Sequence, residues 1–386
     1  MEAAKPSLTI VPRRSLAERL SLARIDGVML GAAVGLIAFS IFTLATATRD
    51  EIAGQPRYFV EHQAIYGLVG IALMVAVSRI DYTRLRELRV SIYAAMVASI
   101  AFVLLVGTAV RGSNRWIDLP FFQFQPSELA KVLLCVSLAA LVFERVRRPF
   151  DLRHTIALLG FGLAPAALVF LQPDLGTGIV LVAIALAILF TAGIPWRHFA
   201  ALGAAVALIG GGAYGVGSAA GVDFLRGYQE DRLTAFLHPS DDPSDASYQV
   251  NQAVIAVGSG EEVGRGGNAT QSKLLFLPER HTDFIFAVIG ERFGFLGAAF
   301  VVFLYSVLFW RVLRVMRMAA SFYGTLIAGG VLAMLAFQSI VNIGMNLGLM
   351  PVTGITLPLI SYGGSSVIGT FLALGLLMSI YAESRD

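Results

Sequence analysis

The stretch LPERHTDFIF, residues 277–286, gathers Glu279, Arg280, His281 and Asp283 immediately before a long apolar run. Carboxylate and imidazole groups exchange protons, and a guanidinium holds an anion, so these side chains are of the types that an acid–base site uses. The competing reading is structural: Thr282 or Asp283 caps the helix that follows, with Arg280 and His281 at headgroup level. Residues 287, 290 and 294 share a helical face with Asp283 and are Ala, Gly and Gly, a thin face able to admit a substrate or a neighbouring helix. Glu291 lies two turns further in, about 12 Å along the helix, where a carboxylate facing lipid is disfavoured.

Three other polar islands interrupt apolar sequence. In RGSNRWIDLPFFQFQPSELAK, residues 111–131, Pro126 and Glu128 suit the first turn of a helix. Lys131 follows inside an apolar run, where a central lysine costs roughly 2.5–3.5 kcal/mol on insertion scales. It sits three residues after Glu128 and shares its face, so the two are expected to pair toward a polar cavity. In QPDLGT, residues 172–177, Asp174 is either a turn residue or a polar group offered to the same side. SYGGSS, residues 361–366, falls inside the last apolar run. Its small residues either let helices approach closely or mark a broken helix whose backbone groups line a cavity.

The elements that must position these islands are membrane spans. The chain has 386 residues, of which 56% are hydrophobic and 14% charged, and its mean hydropathy is +0.74, well above a soluble domain. Apolar runs near 27–48, 62–78, 90–108, 127–143, 155–171, 176–195, 198–217, 284–310, 322–345 and 356–381 are each of a length to cross hydrocarbon. The fold class is therefore an all-α polytopic membrane protein with about ten transmembrane helices and one long extracytoplasmic loop, about 218–283. Residues 1–26 form a tail in which Leu16, Leu20 and Ala23 suggest an amphipathic helix on the inner leaflet. The transmembrane domain spans 27–381, and 382–386 form a second tail. Arginines cluster in alternate loops, around 79–89, 145–153 and 311–317, which places both termini in the cytoplasm and LPERHTDF outside. Trp196 and Trp310 then mark inner boundaries. Within the long loop, YQVNQAVIAV at 248–257 reads as an amphipathic helix, followed by clustered glycines from 258 to 267. The scattered basic residues exclude a nucleic-acid face. The lone Cys135, inside an apolar run, excludes an intrachain disulfide.

RGSNRWI, PSELAK, QPDLGT, YQVNQAVIAVGSG, LPERHTDFIFAVIGE and LPLISYGGSS, in this order on about ten spans, resemble the SEDS family, which includes RodA and FtsW. The resemblance covers nearly the whole chain. It implies a peptidoglycan glycosyltransferase that polymerises lipid II at the outer face of the bacterial cytoplasmic membrane. It also implies a class B penicillin-binding protein, a crosslinking transpeptidase, as partner within an elongation or division complex. The aspartate of the family's HTDF motif corresponds to Asp283, the catalytic carboxylate, and the Glu and Lys of its SELAK motif correspond to Glu128 and Lys131. The chain departs from the family at Glu261 and Glu262, where small or apolar residues are usual, and at Arg292, where many relatives carry a second Glu.

The implied reaction needs a base for a sugar 4-hydroxyl, for which Asp283 is the candidate. It also needs positive charge for a departing pyrophosphate. Arg111, Arg115, Lys131, Lys273 and Arg280 are available as cations, and a divalent ion such as Mg²⁺ is an alternative source of charge; no cofactor is otherwise implied. His281, Asp174, Glu291 and Ser361 are taken as supporting groups. Overall similarity favours the RodA branch, serving cell elongation and rod shape, over the FtsW branch, serving division. A transporter moving lipid II across the bilayer is the rival from another class, since a midplane polar site on broken helices would also use Lys131, Glu291 and SYGGSS.

Overall fold

A computed structural model of the chain describes residues 25–48, 55–110, 113–118, 122–146, 151–220, 245–271, 277 and 279–385. The amphipathic segment expected at Leu16–Ala23, Arg111 and Lys273 lie outside the described residues. The helices are α1 (Gly27–Ala47), α2 (Tyr58–Ser78), α3 (Arg89–Val106), α4 (Pro126–Arg145), α5 (Leu152–Leu171), α6 (Leu175–Thr191), α7 (Trp196–Ala220), α8 (Asp245–Ser259), α9 (Ile285–Met318), α10 (Phe322–Asn346) and α11 (Gly364–Glu383). All but α8 fall on the ten apolar runs. Seven of them are long and apolar enough to cross a membrane, and Arg89–Leu105 and Leu175–Thr191 are shorter apolar helices. The chain is thus a multi-pass, all-α membrane protein.

The arginine-rich helix ends are tied to one another at one end of the bundle. Asp26 caps α1 by accepting from the amides of Val28 and Met29, each at 3.1 Å. Its other carboxylate oxygen takes the guanidinium of Arg311, with Arg311 Nε at 2.8 Å. Arg89 pairs with Glu144 at 2.9 Å, and the Tyr82 and Ser321 hydroxyls meet at 2.9 Å. Trp196 and Trp310 are exposed, at 69% and 53%, as interfacial anchors require.

At the opposite end lies the material the apolar runs could not specify. A small antiparallel sheet follows α3: β1 (Thr108–Val110) pairs with β2 (Ser113–Asp118), and β2 with β3 (Gln123–Phe124). It leads directly into Pro126, the first residue of α4. The expected amphipathic helix lies inside α8, whose Val250, Ala253 and Ala256 are buried against Phe284, Ala287 and Val288.

Two expectations change. The last span starts at Gly364, so Ser361, Tyr362 and Gly363 precede α11 rather than sitting within it. Leu359 takes a φ of 65 in the turn before it. The carbonyls this turn leaves outside any helix are taken by neighbouring side chains. Ser40 Oγ donates to Ile360 O at 2.5 Å, Gln63 Nε2 to Ser361 O at 3.2 Å, and the Tyr305 hydroxyl to Pro358 O. The unwound backbone survives at membrane depth because it is satisfied by protein.

The thin face of Ala287, Gly290 and Gly294 admits a neighbour and not a substrate. Gly294 breaks α9 with φ 64 and ψ −159. The glycine-rich loop fills the break: Phe295 N donates to Glu261 O at 2.8 Å, Leu296 N to Glu262 O at 3.1 Å, and Arg265 N to Glu291 O at 2.8 Å. A Cβ on Gly260 would come within 1.9 Å of Gly290 O, so only a bare backbone fits.

Candidate active site

The peptide around Asp283 is held at three consecutive carbonyls. Tyr362 N donates to His281 O at 2.8 Å, and Ser361 Oγ donates to Thr282 O at 2.6 Å. Asp283 O accepts from Asn342 Nδ2 at 2.9 Å and Asn346 Nδ2 at 3.1 Å. Asn342 and Asn346 stand one turn apart on α10, and both are fully buried. Helix α9 begins at Ile285 after Phe284, with no side-chain cap from its own N-cap residue. Its third amide, Ala287 N, is shared between Phe284 O at 3.1 Å and Asn346 Oδ1 at 3.0 Å. Asn346 thus contributes a cap to α9 from another helix. Thr282 Oγ1 turns to Glu279 Oε2 at 3.0 Å.

The Asp283 side chain lines a cavity of about 590 Å³, shared with Glu128, Lys131, Asp174, Arg115 and His281. Four separate polar islands of the sequence meet there. Lys131 Nζ lies 2.8 Å from Glu128 Oε2 and donates to Gln338 Oε1 at 2.7 Å. With Lys131 3% and Glu128 6% exposed, the pair faces the cavity wall and not lipid, as their shared face predicts.

Asp174 fills both of its expected roles. One carboxylate oxygen caps α6 through Thr177 N at 3.2 Å, and the other accepts from Gln125 Nε2 at 2.9 Å. Arg115, delivered by β2, stands 3.6 Å from the capping oxygen. Arg115 Nε is buried with no hydrogen-bond partner among the described residues, and the residue lines the cavity. Ser365, from the SYGGSS segment, accepts from Gln125 N at 2.9 Å and donates to Gln123 O at 3.2 Å, locking the start of α4 to the start of α11.

Other candidates are placed elsewhere. Glu291, fully buried, accepts from the amides of Thr270 and Gln271 at 2.6 and 2.7 Å and so anchors the loop instead of lining the cavity. Arg280 is 3% exposed and does not line the cavity either. Ser361 supports Asp283 through backbone contacts alone. Of the three offered cations that lie among the described residues, Arg115 and Lys131 line the cavity.

Gln338, Asn342 and Asn346 were not singled out from sequence. Their signal was present: three amides at i, i+4 and i+8 in an otherwise apolar helix make one polar stripe. Among the described residues no three His, Cys, Asp or Glu side chains lie close enough to hold a metal ion. Of the four cavity carboxylates, Glu128 pairs with Lys131, Asp174 caps α6 beside Arg115, and Glu279 accepts from the Thr282 hydroxyl.

Residues 24–386 match the family described as "Cell cycle protein", FtsW/RodA/SpoVE. The chain is 37% identical to the probable peptidoglycan glycosyltransferase FtsW of Thioalkalivibrio sulfidiphilus, covering 96% of this chain and 92% of the relative. It is 34% identical to the peptidoglycan glycosyltransferase MrdB of Escherichia coli K12, covering 94% of each. A solved structure described as "Structural coordination of polymerization and crosslinking by a peptidoglycan synthase complex" superposes with a TM-score of 0.80 at 30% identity, covering 95% of this chain and 100% of that one.

Proposed function

The chain belongs to the FtsW/RodA/SpoVE (SEDS) family, and on that premise we propose that it polymerises lipid II at the outer face of the bacterial cytoplasmic membrane, with Asp283 as general base. The observation that carries the role of Asp283 is that it lines the cavity with Arg115, Lys131 and Glu128 on a backbone pinned at three carbonyls. A carboxylate held in a fixed position beside cavity cations is preorganised to act on a ligand.

The acceptor sugar's 4-hydroxyl loses its proton to the Asp283 carboxylate as its oxygen bonds to the donor's anomeric carbon. The bond from that carbon to the pyrophosphate oxygen breaks, and the electron pair leaves with the pyrophosphate. Arg115 and Lys131, which both line the cavity, are the cations that stabilise the leaving charge. Glu128 and Gln338 hold Lys131 in place.

The orientation with both termini inside follows from the arginine bias, and the clustering of those helix ends away from the cavity supports it. A class B penicillin-binding protein is the proposed partner, since the similar synthase complex couples polymerisation to crosslinking. We assign the finer role to elongation. Relatives of both branches match to nearly the same degree, so rescue of rod shape, against rescue of septation, in cells depleted of each host protein decides between them.

The direct test incubates the purified chain, with and without that partner, with lipid II. Glycan ladders that resist penicillin are expected, and Asp283→Asn should insert normally while losing roughly 10²–10⁴-fold in rate. An Asp283→Asn protein that polymerises at the wild-type rate removes Asp283 from the chemistry.

A further inference from the structure

The cavity has two chemically distinct halves, and the reaction assigns a use to one of them. The half built from β2, α4 and α6 holds Arg115, Lys131, Glu128 and Asp174. The other half is built from the first three turns of α2, the turn before α9 and the turn before α11, and it is aromatic: Tyr58, Phe59, His62, Tyr66, His281 and Tyr362 all line the space. Their rings form one continuous sheet of contacts. Tyr58 and His62 have centroids 4.1 Å apart, Phe59 and His281 4.6 Å, Phe59 and Tyr362 4.9 Å, and Tyr66 and Tyr362 6.1 Å.

This wall is not an interfacial belt. Tyr58, His62 and Tyr66 recur at i, i+4 and i+8, which puts them on one face of α2, and that face looks into the cavity. The outward face of the same helix carries Ile65, Leu68 and Val69, exposed at 53%, 70% and 43%. Gly364 gives the wall room: a Cβ there would meet the Tyr66 ring at 3.1 Å. His62 Nδ1 lies 2.8 Å from Tyr58 O, so it carries the proton, and Nε2 is the ring's acceptor. The Tyr362 phenol is a neutral group that can donate and accept a hydrogen bond. Ring faces bordered by neutral donors and acceptors suit a pyranose, which offers apolar C–H faces and a hydroxyl rim.

Resting on the polymerase reading, we propose that this aromatic wall is the acceptor subsite, seating the uncharged terminal sugar of the acceptor lipid II so that its 4-hydroxyl faces Asp283. The donor's reacting carbon carries a pyrophosphate and belongs beside Arg115 and Lys131. The acceptor's reacting end carries no phosphate, and no Lys or Arg among the described residues lines the aromatic half. The wall also reaches the base, because His281, in tilted ring contact with Phe59, is two residues before Asp283.

The test separates the two substrates. A lipid II analogue with hydrogen in place of the 4-hydroxyl serves only as donor. One with a methylene phosphonate in place of the anomeric oxygen linkage serves only as acceptor. Each is varied against saturating amounts of the other with the chain in its partner complex, and the single coupled product is counted. Tyr66→Leu and His62→Leu should each raise the KM for the acceptor about tenfold, the loss of roughly 1.4 kcal/mol, with the donor KM within about twofold. Tyr66→Phe, which keeps the ring, should stay within about threefold and shows that the position tolerates change. An acceptor KM unchanged in both leucine variants, or a rise in donor KM instead, overturns the proposal. Equilibrium binding of the phosphonate analogue, measured in the presence of the 4-deoxy donor, distinguishes the two readings. Binding weakened by the leucine variants without any coupling by the wild type upholds the subsite and sinks the polymerase reading. No binding at all sinks both.

Discussion

Replacing Asn346 with Ala isolates the way Asp283 is positioned. The substitution removes the acceptor of Ala287 N at 3.0 Å and one of the two donors to Asp283 O. It also removes the bond from Asn346 Nδ2 to Asn342 O at 2.8 Å. Asn342 still holds Asp283 O and Ile355 O, at 2.9 and 2.7 Å, so the carbonyls keep a partner, while the buried amide of Ala287 is left with its 3.1 Å bond to Phe284 O alone. Loss of a helix cap costs about 0.5–2 kcal/mol. That should lower the temperature of half-inactivation in detergent or nanodiscs by several degrees without preventing insertion. The effect on rate should be larger than the effect on stability, because a shift of about 1 Å in a reacting group costs on the order of 10²-fold. Lipid II polymerisation, followed by gel below the transition of the variant, should fall about 10–100-fold. Asn346→Asp keeps an acceptor for Ala287 N but turns a carboxylate oxygen onto the Asp283 and Asn342 carbonyls at a fully buried position, so it should lose both stability and activity. A variant with lowered thermal stability and wild-type polymerisation would refute the claim that α10 fixes the position of Asp283.

Glu128→Gln and Lys131→Met each leave the other charge buried, and each should cost roughly 3–5 kcal/mol; the double variant should recover much of the loss in a thermal assay, and simple additivity would argue against coupling. Gly260→Ala should abolish stable expression or strongly lower thermal stability, because its Cβ meets Gly290 O at 1.9 Å, whereas Gly267→Ala, with nothing within 4 Å, should be close to neutral. Cysteine at the exposed Val263, in a Cys135→Ser background, should react with an impermeant thiol reagent from outside intact cells; labelling only after the membrane is opened reverses the topology. Limited proteolysis should cut Glu291→Ala within 258–271 faster than wild type, since two loop amides lose their acceptor.

Sequence alone determined the features that depend on neighbours along the chain. Ten apolar runs specify the helices that cross the membrane, because a backbone in hydrocarbon must satisfy itself within each segment. Glu128 and Lys131 were legible as a pair because three residues of helix place them on one face, and YQVNQAVIAV was legible as a helix from its periodicity. Asp283 stood out because charge is scarce at the edge of a span.

Tertiary structure alone decided what each polar group does. Nothing local tells Asp283 that an asparagine 63 residues later will cap its helix, or tells Glu291 that it will bind the amides of Thr270 and Gln271. Glu291 sits on α9 and Asp283 just before it, and both were plausible cavity residues. The loop that enters the break at Gly294 takes Glu291, while the polar stripe of α10 leaves Asp283 to the cavity. The same holds for the turn at 357–361, whose carbonyls tolerate burial only because Ser40, Gln63 and Tyr305 arrive from three other helices. Buried polar groups must find partners, and which partner is in reach depends on how the helices pack, which periodicity along a single helix does not encode.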